Sequence, residues 1–205
     1  EFDIPYYYGT ERLSRLASIN VEQFVRLAGD AFEEVLARRI RNPREALPAE
    51  RQHALMLKLS QTVWDEIPVR VRDGRALRNL LEGIAGHSRW YTYRPSAPND
   101  PGVGGTAIRM SERDMLRDPE YLKRHPEHRR LGDLIASALA HNLLVAQLDY
   151  GVKNDRWMVL NLNRILCVKY QLPLNYGLFK ERPLSTLAGW VNQRYVEPEQ
   201  EATLL

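Results

Sequence analysis

The stretch RRLGDLIASALAHNLLVAQLDYGVKNDRWMVLNLNRIL, residues 129–166, changes from a helical to a strand-like apolar period without a break. Before Leu144 the spacing follows one helix face, formed by Leu131, Leu134, Ile135, Ala138, Leu139 and Asn142. From Leu144 the spacing is two, in two runs around the turn residues of GVKND, and the first run places Leu144, Ala146, Leu148 and Tyr150 on one side. The pattern predicts a helix that leads directly into a β-hairpin.

A helix followed at once by a hairpin is the order of a winged helix, in which the helix can enter a DNA groove and the hairpin can touch the backbone. Basic residues lie where those contacts would be made. Arg129 and Arg130 stand at the start of the stretch, and Lys153 and Arg156 flank the hairpin tip. We therefore predict that these four residues contact double-stranded DNA. The alternative is that the unit serves only as core, as most helix-plus-hairpin units do.

Length and composition describe an ordinary globular chain, with 205 residues, 44% hydrophobic and 27% charged. The sequence contains neither an apolar run of membrane-spanning length nor a secretory leader pattern, so we expect a soluble cytoplasmic protein without a membrane partner. The single cysteine, Cys167, lies in an apolar run and is expected to be an inert buried thiol. The chain begins at Glu1 without an initiator Met, and we expect it to be a fragment of a longer protein.

A basic stretch at residues 67–94 carries six arginines and two carboxylates, interleaved with Trp90, Tyr91 and Tyr93. Such a stretch is compatible with a polyanionic partner. Arginines on solvated helix faces are the commoner explanation.

Breakers and caps predict two units in a chain that is mainly α with a small β component. Asn20 is a good N-cap for a helix that runs to about Arg41, where Asn42-Pro43 ends it. We predict a helical unit at 1–42, a linker at 43–48, a second unit at 49–196 and a flexible tail at 197–205. The second unit would contain helices at 49–67 and 73–86, the latter capped by Asp73, and a strand at 106–110. It would also contain an insertion at about 87–128.

Two segments resemble a known family. The first, YYYGTERLSRLASINVEQFVRLAGDAFEE at 6–34, looks like the end of the helical lid of AAA+ ATPases of the initiator, or origin-recognition, clade. It resembles in particular bacterial relatives whose lid carries a pattern near S-G-N-x-R-x-F-L-x-L. The second, NRILCVKYQLPLNYG at 163–177 followed by RPLSTLAGWV at 182–191, resembles the end of such bacterial proteins. The resemblance implies a lid followed by a winged-helix-like domain, which agrees with the pattern at 129–166.

The resemblance also implies a nucleotide-sensor region at Asn20, Glu22 and Arg26. Glu22 occupies the position where the family has its second sensor arginine, and a carboxylate there would repel a phosphate. Either Arg26 or Arg15 takes that role, or the ATPase is slow, inactive or only nucleotide-binding. The resemblance further implies an ATPase core in the same parent chain, and a homo-oligomer is a further expected partner.

The sequence has no G-x-x-x-x-G-K-[ST] phosphate loop. Its glycine cluster, Gly102, Gly104 and Gly105, has no following lysine, and neighbouring prolines favour a surface loop. We therefore expect no catalysis and no cofactor in this fragment, with ATP and magnesium only in the parent protein.

Two other classes of function stay open. A metal-dependent nuclease would use a cluster of His125, His128, Asp133 and His141. Pro126 disfavours a helix through the first two and no second matching pair exists, so we expect no metal site. A protein-interaction or oligomerisation module without DNA binding is the stronger alternative. It would use aromatic residues that we expect to be exposed, namely Tyr6, Tyr7, Tyr8, Trp90, Tyr91 and Trp190.

Overall fold

The structure, a computed structural model, describes residues 6–16, 20–94, 102–152 and 154–196. In these ranges the chain forms, in order, α1 (Thr10–Leu16), α2 (Val21–Arg39), α3 (Ala49–Arg70), α4 (Gly74–Tyr93), β1 (Val103–Arg109), α5 (Met110–Met115), α6 (Pro119–Arg124), α7 (Pro126–Ala140), β2 (Leu144–Val152), β3 (Asp155–Leu162), α8 (Arg164–Lys169), β4 (Leu178–Glu181) and α9 (Leu184–Asn192). The predicted class, mainly α with a small β component, is confirmed. The helix-then-hairpin order is present as α7, β2 and β3.

Two predicted helix caps have different outcomes. The side-chain oxygen of Asn20 accepts a hydrogen bond from the Gln23 backbone N–H at 3.2 Å, so this cap is confirmed. Asp73 occupies the N-cap position of α4, as predicted, but its side chain does not cap the helix. Asp73 precedes α4 in a left-handed conformation, with φ 56°, and its side chain makes no capping bond. Its carboxylate instead pairs with Arg130 of α7 at 2.8 Å. An ion pair between two charged groups thus takes the place of the capping interaction.

The four strands form one mixed sheet in the order β2-β3-β1-β4. β1 pairs antiparallel with β3 and parallel with β4. Residues 87–128, which we expected to be an insertion, supply the last turns of α4 and the interior strand β1. Within this segment β1 is therefore part of the sheet, whereas the insertion and the boundaries of the two predicted units stay predictions.

Beyond Gly102, the glycine cluster does not form the surface loop that we predicted. Gly104 and Gly105 are buried members of β1. A Cβ atom at Gly104 would lie 2.3 Å from the Tyr176 carbonyl oxygen, and one at Gly105 would lie 2.4 Å from Asn161 Oδ1. Glycine is required here because neighbouring chain passes too close for any side chain.

The hairpin contains a register shift between Gln147 and Tyr150. Up to the shift, Leu144 pairs with Leu162; after it, Tyr150 pairs with Trp157, whose side chain lies on the other face of the sheet. The prediction that Leu144 and Tyr150 share a face is therefore wrong, because an irregularity in a strand inverts the alternation beyond it.

The main core lies between the helices and one face of the sheet. α4 and α7 contribute Leu80, Ile84, Leu131 and Leu134, and β3 contributes its alternate residues. The N-terminal segment joins the same core, since Tyr7 is 1% exposed and its hydroxyl donates to the Leu172 carbonyl oxygen at 2.8 Å. The expectation that Tyr7 is exposed is therefore wrong. The other face of the sheet holds a smaller cluster of Ala107, Trp157, Val159 and the partly buried Phe179.

Candidate functional site

The predicted sensor residues lie together in one pocket. Asn20, Glu22 and Arg26 line a cavity of about 270 Å³ between the start of α2, the second half of α3 and the end of α7. His141 and Asn142, directly after α7, line the same cavity. This pocket therefore connects the sensor region to the helix that we predicted to contact DNA.

The charges in this sensor pocket are balanced. Arg26 lies 3.9 Å and Arg70 lies 3.2 Å from carboxylate oxygens of Glu66, and Glu22 adds a second carboxylate. A triphosphate would need an excess of positive charge or of free N–H donors, and two arginines beside two carboxylates supply no net charge. These residues alone therefore do not fit ATP.

The structure separates the two arginines considered for the sensor role. Arg26 lines the sensor pocket, whereas Arg15 lies on α1 and pairs with Glu11 at 2.8 Å and with Asn175. Within the described residues, Arg26 is the one of these two that shares a cavity with Asn20 and Glu22.

The predicted DNA contacts on α7 are exposed and point in two directions. Arg130 pairs with Asp73 at 2.8 Å and donates to the Asn192 side-chain oxygen at 3.1 Å, towards α4 and α9. Arg129 borders a groove of about 350 Å³ that α5, α6 and β3 complete. Both side chains lie away from the buried face of α7, as expected.

The two predicted DNA contacts on the hairpin are Lys153 and Arg156. Arg156 of β3 makes an ion pair with Asp149 of β2 across the hairpin. Lys153 lies outside the described residues. The expectation that Arg129, Arg130, Lys153 and Arg156 form one basic edge stays a prediction.

Two further arginines near Arg129 were missed by sequence reasoning. Arg113 of α5 donates to the Leu148 carbonyl oxygen at 3.1 Å, which ties α5 to β2, and its side chain is only 16% exposed. Arg117 is exposed and lines the same groove as Arg129. Only the tertiary structure reveals this pair, because Arg113 lies on the short helix α5 and Arg117 in the turn after it, both distant in sequence from Arg129.

Cys167 gives no sign of nucleophilic chemistry. Its thiol is buried, as predicted, and burial raises its pKa to about 12. A thiol with so high a pKa is almost entirely protonated near neutral pH and is a poor nucleophile.

A comparison with family models identifies the chain's relatives. The model described as ORC-CDC6-like matches residues 3–177, which is most of the sequence. The chain belongs to the ORC-CDC6-like family. The match confirms the predicted resemblance to the C-terminal region of an origin-recognition type AAA+ protein. No curated protein and no solved structure matches the chain significantly.

The ORC-CDC6-like match and the observed helix-hairpin order agree with a lid followed by a winged-helix-like arrangement. In the part of the chain that the structure describes, no helix combines the length and the apolar character that crossing a membrane requires.

Proposed function

We propose that this chain is a DNA-binding region of an ORC-CDC6-like AAA+ protein. It binds double-stranded DNA and couples this binding to the nucleotide state of an ATPase core outside these residues. The observation that carries the proposal is α7, whose exposed basic start is followed directly by the hairpin β2–β3 in a chain of this family. The 205 residues bind rather than catalyse.

The DNA surface is built from the solvent side of α7. Leu131, Leu134 and Ile135 hold this helix against the core, so the side chains of Arg129 and Arg130 are exposed to solvent, where a ligand can reach them. Arg117 extends the same surface beside Arg129. Guanidinium groups at these positions would contact phosphates, which supply most of the affinity of a protein for duplex DNA.

The ion pairs of Arg130 and Arg156 do not prevent phosphate binding. Both pairs are exposed, with arginine side chains 45% and 65% accessible. Exposed ion pairs contribute about 0–1 kcal/mol, so a DNA phosphate can replace either carboxylate at little cost. Where DNA does not displace them, the carboxylates of Asp73 and Asp149 would repel its phosphates and disfavour close approach.

The coupling to nucleotide rests on the sensor pocket. It joins the N-terminal end of α2, with Asn20 and Arg26, to the residues that follow α7. A shift of α2 therefore changes the packing at the C-terminal end of α7. ATP and magnesium would be held by the ATPase core. The charge of the bound nucleotide would distinguish the ATP-bound state of the core from its ADP-bound state.

A second candidate function is favoured by a different observation. α2 exposes an apolar stripe to solvent, formed by Val21, Phe24, Val25, Phe32 and Leu36. Such a stripe suits a protein partner, in particular the ATPase core or a second subunit. This interaction role becomes the better account if DNA binding is absent.

Fluorescence anisotropy with a labelled duplex, at two salt concentrations, tests the DNA proposal. The site variant changes Arg129, Arg130, Lys153 and Arg156 to Glu. The matched control changes Arg39, Arg41, Arg44 and Lys58 to Glu, so both variants lose the same net charge. We expect the site variant to bind several-fold to about a thousand-fold more weakly, with the log K against log salt slope flatter by about 0.9 per lost contact.

The control variant reports the effect of net charge alone, and we expect a far smaller loss with an unchanged slope. Circular dichroism checks that both variants fold. No binding by the wild type at low salt would overturn the DNA proposal. An equal loss in the control and the site variant would overturn the assignment to the surface of α7.

A further inference from the structure

A cluster of metal-ligating side chains lies where α6 meets α7. Pro126 takes the first position of α7, and His125 before it serves as both the C-cap of α6 and the N-cap of α7. The chain therefore turns at His125, and the first turn of α7 brings Glu127 and His128 back beside it. Pro126, which argued against one helix through these residues, is what creates the turn that gathers them.

The distances in this cluster suit one metal ion. One ligand atom from each of His125, Glu127 and His128 lies within 4.8 Å of the others. The His125 Nδ1 and Glu127 Oε1 atoms are 3.3 Å apart. Ligand atoms about 2.0–2.1 Å from a tetrahedral Zn²⁺ are about 3.4 Å apart, so this edge already has the right length. The remaining edges close by small rotations of partly exposed side chains.

A hydrogen bond orients the third ligand. The Tyr121 hydroxyl lies 2.7 Å from Nδ1 of His128. In the tautomer with its proton on Nδ1, His128 donates to the Tyr121 hydroxyl oxygen, and the unprotonated Nε2 can bind a metal. A partner on the other ring nitrogen is the usual arrangement of metal-binding histidines, since it fixes both the tautomer and the ring orientation. The rings of Tyr121, His125 and His128 are also stacked, which keeps the two imidazoles side by side.

We propose that His125, Glu127 and His128 form a binding site for a divalent transition-metal ion, with Zn²⁺ as the best match. Two imidazoles and one carboxylate are donors that Zn²⁺ takes readily, whereas Mg²⁺ and Ca²⁺ prefer oxygen donors throughout. The fourth position of a tetrahedral ion would be taken by water.

The surrounding charges set the strength of this site. Lys123 is neutralised by Glu120 at 2.6 Å and Arg130 by Asp73 at 2.8 Å, but Arg129 and the positive end of α7 oppose a cation. The ligands are also partly exposed. We therefore expect a dissociation constant on the order of micromolar, weaker than that of a buried structural zinc site.

A bound ion would clamp the α6–α7 junction. It would join the capping residue of α7 to the first turn of that helix, with Tyr121 holding α6 to the same group. Arg129 and Arg130 follow directly in the next turn. The site therefore lies beside the proposed DNA surface, although metal binding does not depend on DNA binding.

Isothermal titration calorimetry of the full chain with ZnCl₂ tests the site, and Co²⁺ absorption in the visible range reports its geometry. We expect saturation at one ion per chain and the intense absorption of tetrahedral Co²⁺. His125→Ala and His128→Ala should each weaken binding at least tenfold. Tyr121→Phe should weaken it by about tenfold, because it removes the partner that orients His128.

His53→Gln is the matched control, because His53 lies on α3, outside the proposed cluster, and Gln keeps an acceptor for the Tyr7 backbone N–H. This variant should bind Zn²⁺ like the wild type. Circular dichroism checks that each variant is folded, which the partial exposure of Tyr121, His125 and His128 leads us to expect. Binding that does not saturate, or that survives in both His125→Ala and His128→Ala, would overturn the proposal. So would an equal loss in His53→Gln.

Discussion

Helices α2 and α4 are nearly equal in length, with 19 and 20 residues, yet they are packed very differently. Ten residues of α4 are buried, including Leu80 and Ile84, whereas Leu27 is the one buried residue of α2. Both helices have an amphipathic pattern. The difference teaches that an apolar stripe predicts which face of a helix seeks cover, but not whether the same chain supplies it.

The uncovered face of α2 continues into an apolar groove. This groove, of about 290 Å³, lies between α2 and α3 and is lined by Phe32, Val35 and Met56 among others. Leu47, in the predicted linker, is buried and also lines it. The stability of the molecule should therefore depend on α4 far more than on the outer face of α2.

The largest expected contrast is between two alanine substitutions. Leu80→Ala in α4 removes a fully buried side chain, at 0% exposure, and should lower the free energy of unfolding by about 2–5 kcal/mol. Phe32→Ala in α2 removes a side chain that is 61% exposed and should cost less than about 0.5 kcal/mol. Urea unfolding followed by circular dichroism measures both. Similar losses would mean that the face of α2 is covered in solution.

A pair of glycines should respond with opposite signs. A Cβ atom at Gly83 of α4 would lie 2.5 Å from the ring of Trp190, so Gly83→Ala should destabilise the protein by about 1–3 kcal/mol. At Gly29 of α2 nothing lies within 4 Å, and Gly29→Ala should stabilise the helix by up to about 1 kcal/mol. Thermal unfolding measures both shifts. Destabilisation by Gly29→Ala would reveal a neighbour that approaches α2.

The dense packing of α4 extends to a titratable residue. Burial, with smaller contributions from Arg182 and Lys180, lowers the pKa of His87 to about 3. At a pH below about 6.5, the ordinary pKa of a histidine, His87 binds a proton in the unfolded chain but not in the folded chain. Stability should therefore fall as the pH drops from about 6.5 towards 3, by up to about 2 kcal/mol between pH 7 and pH 5.

His87→Gln removes this titration and serves as the comparison in urea unfolding at the two pH values. The variant should lose less stability than the wild type over that range. An equal loss would show that His87 becomes protonated in the folded state, and that α4 is less tightly packed around Tyr91 and Trp190 than the structure indicates.

The smallest contrast concerns two turns that trypsin can reach. The turn after α2 contains Arg41, and the turn between α3 and α4 contains Arg72. The second turn is held by Val71, which is buried, and by the ion pair of Asp73 with Arg130. We expect limited proteolysis to cut after Arg41 before Arg72, as mass spectrometry would show. Earlier cleavage after Arg72 would contradict the contrast between the two regions.

The successes of sequence reasoning were local in origin. The α7–β2–β3 order follows from the change of apolar period at Leu144, and the Asn20 cap follows from a bond to Gln23, three residues away. Both depend on interactions within a few residues, which the sequence displays directly. Asn20, Glu22 and Arg26 lie in one pocket because they are close together at the start of one helix, whereas their role as a nucleotide sensor stays a prediction.

Two of the errors arose where distant parts of the chain meet. Gly104 lies in a buried strand against the Tyr176 backbone, which leaves no room for a side chain. The Asp73 carboxylate does not cap α4 because it pairs with Arg130, 57 residues away. The third error was local, since Tyr150 changes face at a shift in the hairpin register that regular alternation does not predict.

Periodicity and caps were thus sufficient for the fold class and the helix-hairpin unit, because short-range backbone geometry governs both. The family followed from the resemblance of two sequence segments. The tertiary structure alone decided that the face of α4 is covered while that of α2 is not. It also decided that the sensor pocket joins α2 to the end of α7, and that a turn at His125 gathers three metal ligands. Such features depend on which surfaces meet in space, and the apolar pattern of a single segment does not carry that information.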